Sequence, residues 1–392
     1  MPNKRSLFWN TPTREPNNYE SETMSLSFSE TPSNACPPEA RRIGIIGGGQ
    51  LGRMLALAGI PLGLEFVFLD PAQEACAATL GEQIIADYDD PEALQRLIQS
   101  TDIVTLEFEN IPMPALHLTN AQTQLFPPPK ALEVAQDRVN EKTLFAALEI
   151  PTPLWRAVDS LHDLEQAVAA IGLPAVLKTR RLGYDGKGQY VLRSQDDIQA
   201  AWDELGRTSL ILEGFIQFDR EVSLIAVRSR SGELAFYPLS ENTHEAGILK
   251  LSLSRSNDPM QSEAEAYARR VLESLDYVGT LGFEFFVSPS GLIANEIAPR
   301  VHNTGHWTIE GAVCSQFENH LRAILGLPLG STALRGASAM LNFIGDLPSR
   351  ERALSVRDLY FHAYGKGARK GRKVGHATLV LSLIHISEPT RP

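Results

Sequence analysis

The stretch Ala175-Val-Leu-Lys-Thr-Arg-Arg-Leu-Gly-Tyr-Asp-Gly-Lys-Gly-Gln-Tyr-Val-Leu192 sets a glycine-rich loop between two short apolar runs. Apolar run, glycine loop and apolar run is the pattern of a β-hairpin. The loop is not a P-loop, because Lys187 is followed by Gly188 and no helix pattern begins there. A glycine flap whose amides close over a triphosphate, with Lys178 reaching phosphate oxygens from the strand, meets the same electrostatic need by another architecture. An ordinary hairpin is the alternative for the loop taken alone.

On the N-terminal side, from Arg42, the chain reads Ile-Gly-Ile-Ile, a glycine turn, a helical run Gln50 to Leu62, and the apolar strand Phe66 to Leu69. Gly47, Gly49 and Gly52 form G-x-G-x-x-G between strand and helix, a candidate phosphate cradle on a helix N-terminus. Asp70 ends the next strand, where a dinucleotide-binding protein would keep a ribose-binding acid. A turn needing glycine only for close packing is a further alternative. With the helical segment Pro91 to Gln99 and the buried strand Ile103 to Leu106, residues 41–130 read as an open parallel βαβ domain. Phe126-Pro-Pro-Pro129 reads as a linker, and a helix is expected from about Leu132 to Leu148.

Between residues 131 and 330 short strands, glycine loops and hairpins alternate with helices, so this domain is α+β rather than doubly wound. Residues 331–380, with strands Ser338 to Ile344 and Leu359 to Tyr364 and the basic run Arg369 to Lys373, read as a small β-rich C-terminal domain. Residues 1–40, rich in Ser, Thr, Pro, Asn and Glu, have the composition of a disordered extension. Their glutamates argue against a transit peptide.

Composition excludes several classes. The chain has 392 residues, 43% hydrophobic and 21% charged, with 36 Lys and Arg against 47 Asp and Glu. Its net charge of -11 gives no general attraction to nucleic acid or anionic membrane. Cys36, Cys76 and Cys314 are far apart and show no metal-ligand spacing, which fits a reducing cytoplasm. The most apolar stretch, Ile43 to Leu69, is broken by glycines, Arg53 and Glu65, and lacks the roughly 18 apolar residues of a spanning helix.

Glu284 lies in the expected strand Leu281 to Val287, and Glu296 ends the returning strand after the turn Ser288-Pro-Ser-Gly291. Counting back from the turn brings the carboxylates almost opposite each other. Like charges on cross-strand neighbours destabilise a sheet, so a cation between them is expected, and an all-oxygen site favours Mg²⁺ shared with phosphates. The alternative is that the acids face opposite sides or pair with lysine and arginine. The polar loop Ala298-Pro-Arg-Val-His-Asn-Thr-Gly-His306 suits an anionic substrate, with His306 assigned to capping or packing.

Arg138, Lys178, the flap, Ile211 to Ile216, Glu221 and the carboxylate pair follow the order of an ATP-grasp ligase. The strings Gly48-Gly-Gln-Leu-Gly-Arg-Met54, Gly183 to Gln189, Pro299-Arg-Val-His-Asn303, Gly305-His-Trp307 and Gly371-Arg-Lys-Val-Gly-His376 resemble the N5-carboxyaminoimidazole ribonucleotide synthetase family, from about Arg42 to Thr378.

That resemblance implies an ATP-grasp domain behind a pre-ATP-grasp domain, and nucleotide contacts from Arg138, Lys178, Gly183, Tyr184, Asp185, Gly186, Lys187, Gly188, Gln189, Glu213, Gly214, Phe215, Ile216, Glu221, His244, Asn295 and Glu296. It implies magnesium on Glu284 and Glu296. The ribonucleotide and bicarbonate would lie near Gly49, Gln50, Leu51, Glu107, Tyr184, Asp185, Lys187, Arg300, His302, Asn303, Lys366, Arg372 and Lys373. Tyr184, Asp185, Arg300, His302 and Lys373 would serve catalysis.

The implied reaction joins bicarbonate to 5-aminoimidazole ribonucleotide through carboxyphosphate at the cost of ATP, in a cytoplasmic homodimer. Beyond His376 the resemblance fades. The C-terminal domain is expected to be incomplete, and residues 381–392 to be a tail foreign to the family. The competing readings are another ATP-grasp ligase, a dinucleotide-dependent oxidoreductase, and a non-catalytic nucleotide-binding remnant.

Overall fold

A computed structural model describes residues 40–183 and 187–381. Residues 1–39 of the expected extension, residues 382–392 of the expected non-family tail and the flap tip Tyr184, Asp185 and Gly186 lie outside the described residues. Among the described residues no helix is long and apolar enough to cross a membrane.

The first unit of structure is a five-stranded parallel sheet in the order Glu82–Ile84, Glu65–Leu69, Arg42–Ile46, Ile103–Leu106, Gln124–Leu125. Its central strands are continuous apolar runs because helices cover both faces, with Ile43, Ile45, Val104 and Phe68 fully buried. The proline run does not act as a free linker. Pro129 begins the helix Pro129–Ala135 directly after the last parallel strand, and Pro129 and Leu132 are buried.

The helix expected over 132–148 is two helices, Pro129–Ala135 and Arg138–Ala147. Asp137 causes the break. Its carboxylate accepts the Val139 N–H as the N-cap of the second helix and grips Arg180 through both oxygens at 3.0 and 2.8 Å. This places Arg138 on the first turn.

A four-stranded antiparallel sheet, Trp155–Val158, Leu210–Gly214, Ala175–Thr179, Gln189–Leu192, carries the flap hairpin, with Lys178 opposite Gln189. A nine-stranded sheet then runs Gly291–Ala298, Gly279–Ser288, Arg220–Arg228, Ser240–Glu245, Ile248–Ser254, Ala337–Ile344, Lys373–Leu381, Leu359–Ala363, with Leu234–Phe236 beside Arg220–Arg228. The strands of 337–381 therefore extend the central sheet through the pairing of Leu251 with Leu341. The helix Gln261–Ser274 covers this sheet with Ala264, Ala268, Val271 and Leu272. Truncating Val271 to alanine would cost about 1–3 kcal/mol by lost burial and residual cavity.

Candidate active site

Strand register assembles the side expected to hold the nucleotide. Lys178 and Glu213 sit on adjacent strands of the four-stranded sheet, and the Lys178 ammonium lies 2.7 Å from Glu213 Oε2. On the opposite side Lys142 Nζ approaches Glu213 Oε1 at 3.9 Å and donates to the Asn295 carbonyl at 2.5 Å. Burial would push the Glu213 carboxyl up, but Lys178 and Lys142 pull it down to about 2. Burial lowers the ammonium of Lys142, against the attraction of Glu213 and Glu141. After Gly214, whose N–H donates to Leu154 O, the chain leaves the sheet, and the Phe215 ring is exposed.

Glu284 and Glu296 are register partners, with a β-bulge immediately after Glu284. Burial first, and then the neighbouring charge of Glu296, pushes the Glu284 carboxyl up to about 7. Glu296 shifts down instead: burial opposes ionisation, but Arg138 at 2.9 Å outweighs it. Two carboxylates repelling each other across a bulge are what a cation would relieve. Their oxygen donors suit a hard divalent ion such as magnesium. Among the described residues no three His, Cys, Asp or Glu side chains gather to hold a metal, so the remaining oxygens would come from phosphates. Glu221 and His244 add a further pair at 2.9 Å. There burial works against the imidazolium, and Glu221 and Glu284 overcome it to raise the His244 pKa.

Glu284 also faces the loop that follows its partner strand. Its Oε1 lies 3.5 Å from His302 Nε2, and His302 Nδ1 lies 2.8 Å from Thr304 Oγ1. Burial, Arg300 and Lys373 keep His302 neutral. Arg300 Nε meets Glu109 at 2.5 Å, and Asn303 exchanges amide hydrogen bonds with Asn342. Lys366 donates to Gln50, and Arg372 donates to the Gly367 carbonyl. Burial lowers the Lys366 pKa, as do the nearby charges of Arg372 and Lys373, while Glu107 raises it. The parallel sheet and the last strands of the central sheet thus meet at one place.

The first glycine turn differs from the expected phosphate cradle. The Gly49, Leu51 and Gly52 N–H groups all donate to the Glu107 carboxylate at 2.8–3.1 Å. Glu107 is therefore the anion at this helix N-terminus. A Cβ on Gly49 would come within 2.5 Å of Glu107 Oε1, which explains that glycine. Asp70 is likewise committed, accepting from Gly48 N, Ala72 N and Tyr88 Oη, so it is not a free ribose-binding acid.

Lys187 and Gln189 are exposed, and Gly188 adopts φ +69°, closing the flap base as its carbonyl accepts the Thr179 N–H. Sequence reasoning missed Glu141 and Lys142. Burial, countered by Lys142 and reinforced by Glu296, pushes Glu141 up to about 8. The available signal was spacing, since positions 138, 141 and 142 share one helix face.

Family models match as a ribonucleotide synthetase preATP-grasp domain over residues 40–136, an ATP-grasp domain over 143–317, and a phosphoribosylaminoimidazole carboxylase C-terminal domain over 338–385. The chain is 61% identical over 338 residues to the N5-carboxyaminoimidazole ribonucleotide synthase of Pseudomonas aeruginosa, covering 86% of this chain and 94% of that protein. It resembles the crystal structure of the corresponding synthetase from Thermus thermophilus with a TM-score of 0.84 and 53% identity, over 89% of this chain and 100% of that one. An Aspergillus clavatus synthase, solved in complex with ADP and 5-aminoimidazole ribonucleotide, matches with a TM-score of 0.82 and 32% identity, over 89% and 96% of the two chains.

Proposed function

The chain belongs to the N5-carboxyaminoimidazole ribonucleotide synthase family of ATP-grasp ligases, and from that premise we propose that it carboxylates 5-aminoimidazole ribonucleotide on its exocyclic amine in purine biosynthesis. ATP drives the reaction, bicarbonate supplies the carbon, and ADP and phosphate leave. The observation that carries this reading is the position of Glu284, opposite Glu296 on the nucleotide side and 3.5 Å from His302 on the substrate loop.

In this reaction a bicarbonate oxygen attacks the γ-phosphorus of ATP and the bond to ADP breaks. The resulting carboxyphosphate releases CO₂ and phosphate, and the amine adds to CO₂ and loses a proton. Lys178 would turn from Glu213 toward the transferring phosphoryl group, with Lys142 keeping Glu213 compensated. Arg138 and the flap Gly183–Gln189 would hold the triphosphate. Gly214, Phe215, Ile216, Glu221, His244 and Asn295 would line the nucleotide. Glu284 and Glu296 would hold magnesium, which when bound neutralises phosphate charge.

Gln50, Leu51, Lys366, Arg372 and Lys373 would receive the ribonucleotide, with Glu107 presented at the turn by Gly49. Arg300, His302 and Asn303 would orient bicarbonate and the amine, with neutral His302 able to take the released proton. Tyr184 and Asp185 would complete the closed flap. The proposed assembly is a cytoplasmic homodimer, which size-exclusion chromatography with light scattering tests directly.

The deciding assay is ADP release with MgATP and bicarbonate, with and without 5-aminoimidazole ribonucleotide. Strong ribonucleotide-dependent release, with one carboxylated product per ADP, is expected. Release indifferent to the ribonucleotide would reject the proposal.

A further inference from the structure

Beside the substrate loop lies a buried polar cluster for which the reaction above has no use. His306, Tyr364 and His376 are 1%, 2% and 0% exposed. Tyr364 Oη lies 2.7 Å from His376 Nδ1 and 3.3 Å from His306 Nδ1. His306 Nδ1 also lies 3.0 Å from Asn303 Nδ2, which bonds Asn342 Oδ1. His376 stacks on His362 at 4.3 Å and 8°, and His362 Nε2 meets Glu310 Oε1 at 2.6 Å.

The donors can be ordered. Asn342 Nδ2 donates to the Leu249 carbonyl, so its oxygen faces Asn303 Nδ2. That amide nitrogen then donates to His306 Nδ1, which must be the unprotonated ring nitrogen. Tyr364 has one hydroxyl proton: donated to His306 Nδ1 at 3.3 Å, it leaves the Tyr364 oxygen to accept from a protonated His376 Nδ1 at 2.7 Å, so that both contacts are hydrogen bonds. Burial keeps both imidazoles neutral. The arrangement is therefore directional and satisfied at each Nδ1, while His306 Nε2, His376 Nε2 and Thr378 Oγ1 are buried without a hydrogen-bond partner among the described residues. Burying such groups costs stability, which an apolar packing of the same space would avoid.

What the cluster joins gives it a role. Asn303 and His306 belong to the loop bearing Arg300 and His302. Tyr364 lies two residues before Lys366, and His376 lies three after Lys373. We propose that Tyr364, His376 and His306 are positioning residues, a hydrogen-bonded latch that fixes the Arg300–Asn303 loop against Lys366, Arg372 and Lys373. It would thereby set the geometry of the ribonucleotide but not of ATP. The inference rests on the ligase reading and extends it to residues outside the site.

The test uses Tyr364→Phe, His376→Leu and His376→Asn, the last keeping an amide N–H donor near the Nδ1 position. Readouts are the KM for each substrate, carboxylated product per ADP, and ADP affinity by calorimetry. Loss of the latch is expected to raise the ribonucleotide KM about tenfold or to uncouple ADP release severalfold, since displacements near 1 Å can cost about a hundredfold in rate. The ATP KM and ADP affinity should stay within about twofold, and His376→Asn should retain more function than His376→Leu. A folded Tyr364→Phe enzyme with unshifted ribonucleotide KM and coupling overturns the latch, as does a parallel rise in the ATP KM. A wild-type chain without ribonucleotide-dependent release overturns the ligase reading and the latch together, whereas an active wild type with unaffected variants overturns the latch alone.

Discussion

Acid should weaken the junction between the parallel sheet and the central sheet through one residue, His320. The side chain is fully buried, with Nδ1 accepting the Thr280 N–H at 3.1 Å and Nε2 at 2.8 Å from Thr105 Oγ1. The backbone donor makes Nδ1 the unprotonated nitrogen, so the neutral ring donates from Nε2 to Thr105. Burial lowers the pKa from 6.5 to about 4.

The folded-state pKa is thus below the unfolded value. As pH falls below about 6.5 the unfolded chain takes up a proton that the folded chain refuses until about pH 4. Stability is lost across that window and is constant on either side. The loss from this residue is under 1 kcal/mol at about pH 6, about 2 kcal/mol at pH 5 and about 3 kcal/mol at pH 4.

His320→Asn keeps an acceptor for Thr280, cannot titrate, and leaves the Thr105 hydroxyl unpaired beside a small cavity. At pH 8 it should be less stable than wild type by about 3 kcal/mol. That gap should shrink to about 1 kcal/mol at pH 5 and close near pH 4, while other histidines cancel in the difference. Urea unfolding of both chains from pH 4 to 8 measures it. A gap independent of pH would refute the argument, and one that widens on acidification would reverse its sign.

Three further outcomes follow from the site. Lys142→Met leaves Lys178 as the ion-pair partner of Glu213 among the described residues and should cost about 3–5 kcal/mol of stability and raise the ATP KM; an unchanged urea midpoint would contradict the buried pair. Glu296→Gln should lower magnesium-dependent ADP release at least about a hundredfold with the circular dichroism spectrum retained, and full activity would remove Glu296 from the metal assignment. Gly188→Ala places a Cβ 2.7 Å from Thr179 Oγ1 at φ +69°, a strain of about 1–3 kcal/mol expected to raise the ATP KM severalfold. Gly183→Ala, with looser contacts and no positive φ, should be much milder, so equal effects would argue against the strain.

Local pattern made much of this protein legible. The apolar runs of the parallel sheet, the flap hairpin and the register of Glu284 with Glu296 depend on periods of two and on turn residues, which neighbouring positions specify. The helix break at Asp137 was not legible, because residues 129–147 carry helical spacing throughout. The competing hydrogen bonds come from Arg180, which is distant in sequence.

Residue type and spacing are local properties, and they set the order of elements and the inventory of cations and carboxylates. How those charges pair emerges once distant segments pack together. Helix amides expected to hold a phosphate hold Glu107 instead, and Lys178 rests on Glu213. Buried Lys142 pairs with Glu213 from the other side, and Tyr364 links His376 to His306 of the 298–306 loop. Each pairing joins residues far apart in the chain, and its strength comes from burial and short distance, which exist only once the sheets have met.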